Sequence, residues 1–455
     1  LAGKLAQRAS RRLGRGGTAL PGLVAERIDD RLVERLAAQL DVAVLVTGTN
    51  GKTTTARMLA GILEADGRHV IHNRAGSNLM RGIGAALIAA ADPGGALRPG
   101  AAGVFETDEA TLPEAARAVR PGVLLIGNLS RDQLDRYGEI EAVREQWRDT
   151  IAALPPTTTV VLNADDPSVA TLARDARGPV VHFGIDDPAV AEPPLGAGRS
   201  LDALWDEETG ADYVYERRYL AHLGHWSCPG ADGAGPSRPE PGVAAREVDL
   251  DAPDGLGFSL RTGDGERRVQ APLHGLYNVY NALAAAAAAG ALGLTPARVG
   301  EGLAQTAAAF GRQEELLVRG HPVRILLGKN PAGVDAALRT LTPGGPHHLL
   351  VLLNDGLADG TDVSWIWDTD WELLSDAASL VVGGKRAADM ALRLRYAGFP
   401  EPVAVERPIA AALRARLDAL PPGAPLVVLP TYTALLDVRE QLGRMAGARR
   451  IWEGA

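Results

Sequence analysis

Cysteine, lysine and aromatic residues are scarce in this chain of 455 residues. Cys228 is the single cysteine, lysine supplies only four of the 47 basic residues, and Phe, Trp and Tyr make up 4%. One cysteine excludes a disulfide framework, and it excludes a metal site built from several thiolates. Hydrophobic and charged residues, at 46% and 23%, are ordinary for globular proteins, so wholesale disorder is excluded too. The length predicts two or three domains.

A positive net charge and long apolar runs are also missing. The formal net charge is −9, which argues against a nucleic-acid-binding function. The longest apolar run, residues 282–294, falls short of the ~20 residues that cross a bilayer. We therefore expect a cytoplasmic protein that is not integral to a membrane. A basic helix predicted near the start of the chain leaves two possibilities open, peripheral contact with anionic lipid at the inner membrane face or simple solvation.

Short apolar runs alternate with helical patterns along most of the chain. In the first half these runs occupy residues 42–47, 103–105, 123–126 and 159–162. After residue 312 the alternation returns, with runs at 323–328, 347–354, 379–384, 403–406 and 425–430. Continuous apolar strands separated by helices are typical of parallel, doubly wound α/β sheets.

The spacing of these patterns predicts the domains. We expect a helical segment at residues 1–40, a central α/β domain at 41–312 with a parallel doubly wound sheet, and a smaller C-terminal α/β domain at 313–455. Residues 186–270 are rich in Gly, Pro, Asp and Glu, and they predict an inserted β segment within the central domain.

A motif rich in Gly and Thr follows the first predicted strand and opens a predicted helix. It consists of Gly48, Thr49, Asn50, Gly51, Lys52, Thr53 and Thr54. Glycines let backbone N–H groups approach phosphates, a helix N-terminus adds positive potential, and the lysine adds a charge. The hydroxyl of Thr53 stands where phosphate loops bind Mg²⁺. The alternative is a turn with a chance lysine, but one of only four lysines falls here, so we predict a site for nucleotide phosphates.

Acidic residues follow a second predicted strand. Glu106, Asp108 and Glu109 come directly after the apolar run at 103–105. The carboxyl ends of parallel strands line the ligand crevice of an open sheet, so these acids are expected beside the ligand. Asp108 and Glu109 either support the ligand-binding residues from behind or are simply acids at a helix N-terminus, and the sequence does not choose between the two.

The phosphate loop and five further motifs resemble the Mur ligase family. The short spacing of GTNGKTT at 48–54 is the form used by Mur ligases and folylpolyglutamate synthases, which make amide bonds after phosphorylating a carboxylate. The other motifs are RDQLDRYG at 131–138, NADDP at 163–167, HGLYNVYN at 274–281, GRQE at 311–314 and KNPAG at 329–333. The resemblance implies a Mur ligase-like central ATPase domain that uses ATP and Mg²⁺.

The same resemblance assigns catalytic and metal-binding roles. It implies that Lys52 neutralises the migrating phosphoryl group and that Glu106 and Thr53 hold Mg²⁺. Gln133 stands where most Mur ligases have a histidine for a second magnesium. An amide oxygen is still a ligand for a hard cation, so Gln133 is retained as a weak metal ligand.

Nucleotide contacts also follow from the resemblance. Asn281 is expected to contact adenine, and Asn278 is expected to support the site. Arg312 is expected to grip the phosphates at the junction of the domains, because its planar fork suits phosphate geometry. Lys329 replaces a histidine of the family motif and is counted among the nucleotide-binding residues.

Within the Mur ligases, the MurT family matches best. NRAGSN at 73–78, KNPAG at 329–333 and ADGTDVSWIWDTDWE at 358–372 resemble these synthetase subunits of lipid II isoglutaminyl synthase, and the similarity extends from about residue 40 to about 440. It implies that ATP converts the α-carboxylate of D-glutamate in the lipid II stem peptide to an acyl phosphate, which ammonia converts to D-isoglutamine in peptidoglycan synthesis. Only about 40 residues precede the first strand, too few for a UDP-binding domain, so lipid II is the expected substrate.

The ammonia is expected to come from another chain. Cys228 lies in a loop-rich segment without a strand-to-helix elbow, so this chain should not hydrolyse glutamine itself. The resemblance implies a heterodimer with a GatD-like glutaminase, whose catalytic triad is completed by an aspartate of the C-terminal domain. Asp362 is our first choice and Asp359 our second. Trp365 and Trp367 follow them and suit an interface, and the alternative is a polar turn beside two core tryptophans.

Residues of about 200–240 resemble a degenerate zinc ribbon. Many MurT proteins have four cysteines there, whereas this chain keeps Cys228 and has Asp206, Thr209 and Ala231 at the other positions. Structural zinc needs four nitrogen or sulfur ligands, so we expect no zinc. We expect the segment to be held by packing alone, around the aromatic residues Trp205, Tyr213, Tyr215 and Trp226.

Two other functions stay open. A complete amino-acid-adding ligase of the Mur or folylpolyglutamate type would need its own pocket for the acceptor amine. A nucleotide-binding scaffold would recruit the glutaminase without catalysing a reaction. The presence of Lys52, Thr53, Glu106 and Arg312 argues against the scaffold.

Overall fold

The computed structural model describes residues 29, 31–73, 78–131, 140–192, 202–206, 209–229, 235–252, 255–306, 312–342, 345–399 and 403–446. The helices are α1 (Leu32–Ala37), α2 (Lys52–Ala65), α3 (Met80–Ala90), α4 (Leu112–Val119), α5 (Ile140–Ala153), α6 (Pro167–Ala170), α7 (Leu276–Ala291), α8 (Pro296–Ala304), α9 (Pro331–Leu341), α10 (Ala387–Tyr396), α11 (Ile409–Asp418) and α12 (Tyr432–Ala446). The strands are β1 (Val42–Thr47), β2 (His69–His72), β3 (Ala101–Glu106), β4 (Val123–Ile126), β5 (Thr159–Asn163), β6 (Val180–Ile185), β7 (Val214–Leu220), β8 (Leu223–Ser227), β9 (Val243–Asp249), β10 (Leu256–Thr262), β11 (Gly265–Ala271), β12 (Arg312–Val318), β13 (His321–Leu326), β14 (His348–Leu352), β15 (Ser379–Gly383), β16 (Ala404–Glu406) and β17 (Leu426–Pro430).

The larger sheet has nine strands in the order β11-β10-β9-β6-β5-β4-β1-β3-β2. Pairing is parallel from β2 across to β9, and the last two strands, β10 and β11, extend the sheet as antiparallel neighbours. Every residue of β3 and β4 is buried, because helices cover both faces of a parallel sheet. The carboxyl ends of β1, β3 and β4 therefore meet at one edge of the sheet, where an open sheet binds its ligand.

Two helical layers enclose this sheet. On one face α2 packs against β1 and β3, and the alanine-rich α7 packs against β5 and β6; Leu59 and Leu283 join this core. On the other face α3, α4 and α5 bury Trp147 and their own aliphatic side chains. Small alanine side chains let α7 approach α2 closely, and this brings the polar start of α7 against the loop that precedes α2.

Strands β7 and β8 form a separate antiparallel hairpin. Its inner residues Tyr219 and Leu223 belong to the core that α2 and α7 share with the central sheet. The hairpin therefore packs on the central domain, and its turn reaches the edge of the sheet at which the phosphate-loop motif lies.

The second sheet has six strands in the order β12-β13-β17-β14-β15-β16. The first pair is antiparallel and the remaining pairs are parallel. Helices α9 and α10 pack on one face, and α11 and α12 pack on the other.

The structure confirms the predicted fold class, a large, mostly parallel α/β sheet with a separate C-terminal α/β sheet. The predicted strands after residues 41 and 322 are present, and β9 to β11 form the β segment expected within residues 186–270. The predicted basic helix at the start of the chain lies outside the described residues, and α1 is a described helix within the predicted helical segment 1–40. Among the helices that the structure describes, none is both long and apolar enough to span a bilayer. The exact domain limits stay predictions.

Candidate functional site

The phosphate-loop motif lies between β1 and α2, at the carboxyl edge of the central sheet. Gly51 has a φ of 87° and directly precedes α2. A Cβ atom at this position would lie 2.0 Å from Asn281 Oδ1, so only glycine permits the close approach of the loop to α7. The loop thus presents its backbone at a helix N-terminus, as a site for anionic phosphates requires.

The ammonium group of Lys52 is buried at the start of α2. Its Nζ donates a hydrogen bond of 2.8 Å to Glu109 Oε1, and it also contacts the carbonyl oxygens of Gly48 and Thr49. Burial raises the pKa of the Glu109 carboxyl, and the positive charges of Lys52 and Lys329 oppose that rise. Lys52 of the central domain and Lys329 of the C-terminal domain therefore both favour the charged form of the Glu109 carboxyl.

Thr53 and Glu106 form a second polar pair beside Lys52. The hydroxyl of Thr53 donates a 2.9 Å hydrogen bond to Glu106 Oε1. Asn73 fixes the backbone of Glu106 from both sides, because its Oδ1 accepts from the Glu106 N–H at 2.9 Å and its Nδ2 donates to the Glu106 carbonyl at 2.8 Å. A hydroxyl and a carboxylate are hard oxygen ligands, so this pair can hold Mg²⁺.

The structure separates the roles of the two acids that follow Glu106. Asp108 caps a short 3₁₀ turn, where its Oδ1 accepts from the N–H of Ala110 at 3.3 Å. Glu109 instead turns towards Lys52, and its own carbonyl accepts a 3.2 Å hydrogen bond from Trp147 Nε1. Asp108 is therefore an acid at a helix start, whereas Glu109 belongs to the phosphate site.

The phosphate loop is braced by β4 and by the C-terminal domain. Asn50 and Asn128 exchange two hydrogen bonds, one of 2.9 Å from the Asn50 N–H and one of 2.8 Å to the Asn50 carbonyl. Asn50 Oδ1 also accepts a 3.1 Å hydrogen bond from Asn330 Nδ2, and Asn330 caps the start of α9. This contact joins the loop directly to the second domain.

A cavity of about 110 Å³ opens beside the loop. Its walls come from the phosphate loop, the segment after β4, the start of α7, the turn of the β7–β8 hairpin and the C-terminal domain. Residues from these five segments include Gly51, Ser130, Asn281, His222 and Lys329. Polar groups gather at the loop, whereas Leu, Ala and Tyr side chains line much of the remainder. Such a lining suits a ligand with a charged end and an apolar ring system.

The structure brings most of the predicted nucleotide and metal residues to this place. The loop and cavity region contains Gly48, Thr49, Asn50, Gly51, Lys52, Thr53, Thr54, Glu106, Asn278, Asn281 and Lys329. Asn281 accepts from Thr55 at 3.2 Å and donates to Asn278 at 3.0 Å. Arg312 begins β12, and its side chain lies outside the described part of the chain, as does the whole of Gln133.

Ion pairs connect the central and C-terminal domains near the cavity. Arg131 contacts Asp202 of the central domain and Asp368 of the C-terminal domain, the latter at 3.2 Å. Arg339 on α9 lies 3.2 Å from Glu192 and 3.3 Å from Asp370. These ion pairs connect the two domains close in sequence to residues that line the cavity.

Asp359 and Asp362 lie in the C-terminal domain, away from the residues that line the cavity. Asp359 is buried and accepts from the N–H groups of Gly356 and Thr433, at 3.1 and 2.8 Å, as well as from the Thr433 hydroxyl. Asp362 is exposed and accepts only from the N–H and hydroxyl of Ser364 among its described neighbours. Asp359 therefore anchors its loop, whereas Asp362 presents a carboxylate at the surface.

The degenerate ribbon is held by polar groups as well as by packing, so the expectation of packing alone is wrong. Asp206 is buried, and its carboxylate accepts from the Thr209 N–H and hydroxyl and from the Tyr213 hydroxyl. The Sγ of Cys228 lies 3.4 Å from the Ala211 carbonyl and 3.8 Å from the Thr209 hydroxyl. Asp206 and Thr209 thus share a hydrogen-bond network beside the cysteine.

The predicted aromatic core of the ribbon is correct only in part. Tyr213 packs edge-on against the buried Trp226, with ring centroids 5.3 Å apart, and the hydroxyl of the partly buried Tyr215 donates to the Ala203 carbonyl. Trp205, in contrast, is 51% exposed and does not belong to that core. Ala231 lies outside the described residues.

Sequence patterns miss three residues that shape the site. They are Asn330, which reaches the phosphate loop from the second domain, and His222 with Asp166, which meet at the cavity wall. Asn330 and Asp166 lie within recognisable motifs, yet their contacts cross long sequence separations. No local sequence pattern predicts that the turn with His222 lies near the phosphate loop.

Two protein families match parts of the chain. The Mur ligase middle domain matches residues 46–196, and the MurT ligase C-terminal domain matches residues 327–435. A protein from Staphylococcus aureus (strain COL), described as lipid II isoglutaminyl synthase (glutamine-hydrolyzing) subunit MurT, is 32% identical over 97% of this chain and 96% of its own length. The protein of the same description from Streptococcus pneumoniae is 33% identical over 97% of this chain and 96% of its own.

Solved structures share the fold at lower identity. A pseudomurein peptide ligase type C from Methanothermus fervidus has a TM-score of 0.67 and 24% identity, covering 89% of this chain and 78% of its own. A Mycobacterium tuberculosis folylpolyglutamate synthase complexed with ADP has a TM-score of 0.62 and 18% identity, covering 91% and 94%. At these identities the likeness concerns the fold.

Proposed function

The chain belongs to the MurT family of lipid II isoglutaminyl synthase subunits, and we propose that its nucleotide cavity activates the α-carboxylate of D-glutamate in the lipid II stem peptide. It is a subunit of an ATP-dependent ligase that amidates lipid II in peptidoglycan synthesis. The proposal concerns the steps within that activity, namely formation of an acyl phosphate and its conversion by ammonia to D-isoglutamine.

The joint placement of Lys52 and the Thr53–Glu106 pair carries this proposal. Both lie at the N-terminus of α2, beside a cavity that the central and C-terminal domains line together. A buried ammonium group and a hard-oxygen pair in one enclosed place suit the transfer of a phosphoryl group, in which negative charge must be neutralised. A hydrogen bond between Asn50 and Asn330 joins the two domains at this place.

The donor set fits a magnesium ion bound together with ATP. Thr53 and Glu106 would hold the ion, since a hydroxyl and a carboxylate are ligands that Mg²⁺ accepts. Within the described ranges, no three His, Cys, Asp or Glu side chains form a metal site by themselves, which agrees with an ion that takes its other ligands from water and phosphate. When bound, the ion supplies charge neutralisation at the phosphates.

Different groups of the chain have different roles in the reaction. Backbone N–H groups of the phosphate loop orient the phosphates, and Lys52 and Arg312 neutralise the group that moves. A carboxylate oxygen of D-glutamate forms a bond to the γ-phosphorus while the bond to the β–γ bridging oxygen breaks and ADP leaves. Ammonia next attacks the acyl carbon, the carbon–oxygen bond breaks, inorganic phosphate leaves and the nitrogen loses a proton to solvent.

The ammonia is proposed to come from a GatD-like glutaminase bound to the C-terminal domain. Asp362 is the proposed third member of that enzyme's triad, because its carboxylate is exposed and has only Ser364 as a described partner. A carboxylate in such a triad orients the catalytic histidine and stabilises its charged form. The nearby exposed Leu357 and Trp367 supply apolar contact area for a partner.

The test compares nitrogen sources with the purified chain, ATP and lipid II. Ammonium alone should yield amidated lipid II, whereas glutamine should do so only when a GatD-like glutaminase is added. Lys52→Ala should abolish the product with either source, and Lys385→Ala, at an exposed lysine of the second domain, is the matched control. Product that requires an added amino acid would indicate an amino-acid-adding ligase. Unchanged amidation by Lys52→Ala would indicate a scaffold.

A further inference from the structure

The turn of the β7–β8 hairpin forms one wall of the nucleotide cavity. Leu220 and Leu223 pair across the hairpin, and Ala221 and His222 make the turn between them. Ala221 has a φ of 50°, a conformation that residues other than glycine adopt at a cost. Strain of this kind persists where the surrounding structure determines the backbone. Here the strained turn lines the cavity beside the phosphate loop.

His222 is buried in that wall with unused hydrogen-bonding capacity. Its side chain is 1% exposed, and neither ring nitrogen makes a well-formed hydrogen bond with the residues that the structure describes. The nearest polar group is Asp166, whose Oδ2 lies 3.2 Å from His222 Nε2. A buried polar group without a hydrogen bond is costly, so a second partner for this ring is expected when the cavity is filled.

Asp166 is itself fixed in place. Its Oδ1 accepts from the N–H groups of Ser168 and Val169 at the start of α6, and its Oδ2 accepts from the Leu129 N–H at 2.8 Å. Asp166 therefore presents a fixed carboxylate oxygen to the Nε2 edge of His222. The other nitrogen, Nδ1, is buried and has no described partner.

The lining that His222 shares indicates which part of a nucleotide this wall meets. Lys52 and the N–H groups of the loop serve the phosphates. The lining of the same cavity includes Leu223, Tyr280 and Leu326, which suit an apolar ring system. The nucleoside of ATP is thus the chemical group that this wall accommodates.

We infer that His222 is a nucleotide-binding residue that the inserted hairpin contributes to the ATP site, with Nε2 facing Asp166 and Nδ1 donating a hydrogen bond to the nucleoside. This inference rests on the proposed nucleotide site. It gives the degenerate ribbon a function that does not need zinc, because the ribbon carries a wall of the cavity.

The charges around His222 favour the donor form of Nδ1. Burial lowers the pKa of His222, but the carboxylate of Asp166 more than offsets this effect, so the pKa lies above its ordinary value of 6.5. Asp202 acts in the same direction as Asp166, and Arg131 opposes them. A protonated imidazole has an N–H at both nitrogens, and one of them is then available to the ligand.

Two substitutions test the two nitrogens of the His222 ring separately. His222→Gln keeps an amide group where Nε2 meets Asp166 and removes Nδ1, whereas His222→Asn keeps an amide group near Nδ1 and loses the contact with Asp166. Titration calorimetry of the full chain with ATP should show binding weakened about tenfold by His222→Gln, the value of one hydrogen bond. His222→Asn should weaken it less. Inorganic tripolyphosphate should bind the wild type and His222→Gln equally.

The controls distinguish this inference from the function on which it rests. His69→Gln, at an exposed histidine of β2, should leave ATP binding unchanged. If Lys52→Ala abolishes ATP binding while His222→Gln binds like the wild type, the nucleotide site stands and the inference is wrong. If His222→Asn instead binds ATP more weakly than His222→Gln, the role of His222 is purely structural and acts through its contact with Asp166. If the wild type binds no ATP, the nucleotide site itself is wrong.

Discussion

Lys52 Nζ lies 2.8 Å from Glu109 Oε1, and both side chains are buried at the N-terminus of α2. Glu109 is therefore the counter-charge of Lys52 in this structure, and phosphate oxygens must compete with it for the ammonium group. A buried pair of this kind is strongly destabilised when one member is removed, because the other charge is left without compensation. A bound phosphate can therefore replace Glu109 as the negatively charged partner of Lys52.

Replacing Glu109 by glutamine should make the ligand-free chain less stable and more responsive to ATP. Loss of the carboxylate leaves Lys52 with carbonyl acceptors alone, and the free energy of unfolding should fall by about 3 kcal/mol. Bound phosphates would then supply the missing negative charge. Thermal denaturation with and without ATP and Mg²⁺ should show a larger ATP-induced rise in midpoint for Glu109→Gln than for the wild type.

Glu114→Gln is the matched control, because Glu114 is exposed one helical turn further along. Its midpoint and its response to ATP should equal those of the wild type. An equal ATP response in Glu109→Gln and the wild type would show that Glu109 does not compete with phosphate for Lys52.

A methyl group at Gly51 should disrupt the contact between the phosphate loop and α7. Gly51 has a φ of 87°, and its Cβ would lie 2.0 Å from Asn281 Oδ1. Gly67 has nearly the same φ, 85°, but nothing lies within 4 Å of its Cβ position. Gly67→Ala should therefore cost only backbone strain, about 1 kcal/mol, whereas Gly51→Ala should cost more and should also weaken ATP binding.

Urea denaturation and calorimetry measure both effects. Equal losses of stability in the two alanine variants, with ATP binding retained in both, would contradict the role assigned to the close approach of Gly51 and Asn281.

Local sequence patterns predicted the parts of the site that lie next to one another along the chain. Gly51, Lys52 and Thr53 form a helix start, whose backbone requirements are visible in a few residues. The strand before Glu106 was predictable from its apolar run, so the position of this carboxylate at a sheet edge followed. Continuous burial of β3 and β4 explains why these runs were clear.

Contacts between distant segments were not predictable in the same way. The sequence leaves two roles open for Glu109. Its side chain reaches Lys52 only because its turn packs against α2. The ribbon shows the same limit, because a set of aromatic residues does not specify which of them faces inward. Trp205 lies at the surface, and the buried Asp206 takes over part of the stabilising role through hydrogen bonds.

The Thr53 hydroxyl should be needed for magnesium-dependent catalysis. Thr53→Val keeps the shape of the side chain but removes the donor to Glu106 and the oxygen ligand. Amidation of lipid II with ammonium should fall about 100-fold, the scale of losing one positioned polar group. Thr53→Ser keeps the hydroxyl and should stay near the wild-type rate. A magnesium titration of the rate should require a higher concentration for Thr53→Val, and an unchanged titration would exclude Thr53 as a ligand.

Asn substitutions should separate the functions of Asp359 and Asp362. Asp362→Asn changes an exposed carboxylate, so it should lower glutamine-dependent amidation by a factor on the order of 10³ and leave ammonium-dependent amidation intact. Asp359→Asn weakens the buried contacts with Gly356 and Thr433 and should reduce stability by about 2 kcal/mol. Rates with both nitrogen sources and a denaturation curve decide the assignment. Selective loss of the glutamine reaction in Asp359→Asn alone would reverse it.

The pair of His222 and Asp166 should make part of the stability depend on pH. Burial lowers the pKa of His222, but the carboxylate of Asp166 more than offsets this effect, so the folded-state pKa exceeds the ordinary 6.5. The folded chain then holds the proton more tightly than the unfolded chain, and the resulting stabilisation is complete below pH 6.5 and is lost as the pH rises through the folded-state value. The stability difference between wild type and His222→Gln should therefore shrink in urea denaturation as the pH rises above 6.5. A difference that stays constant across this rise in pH would show that folding does not raise the pKa of His222.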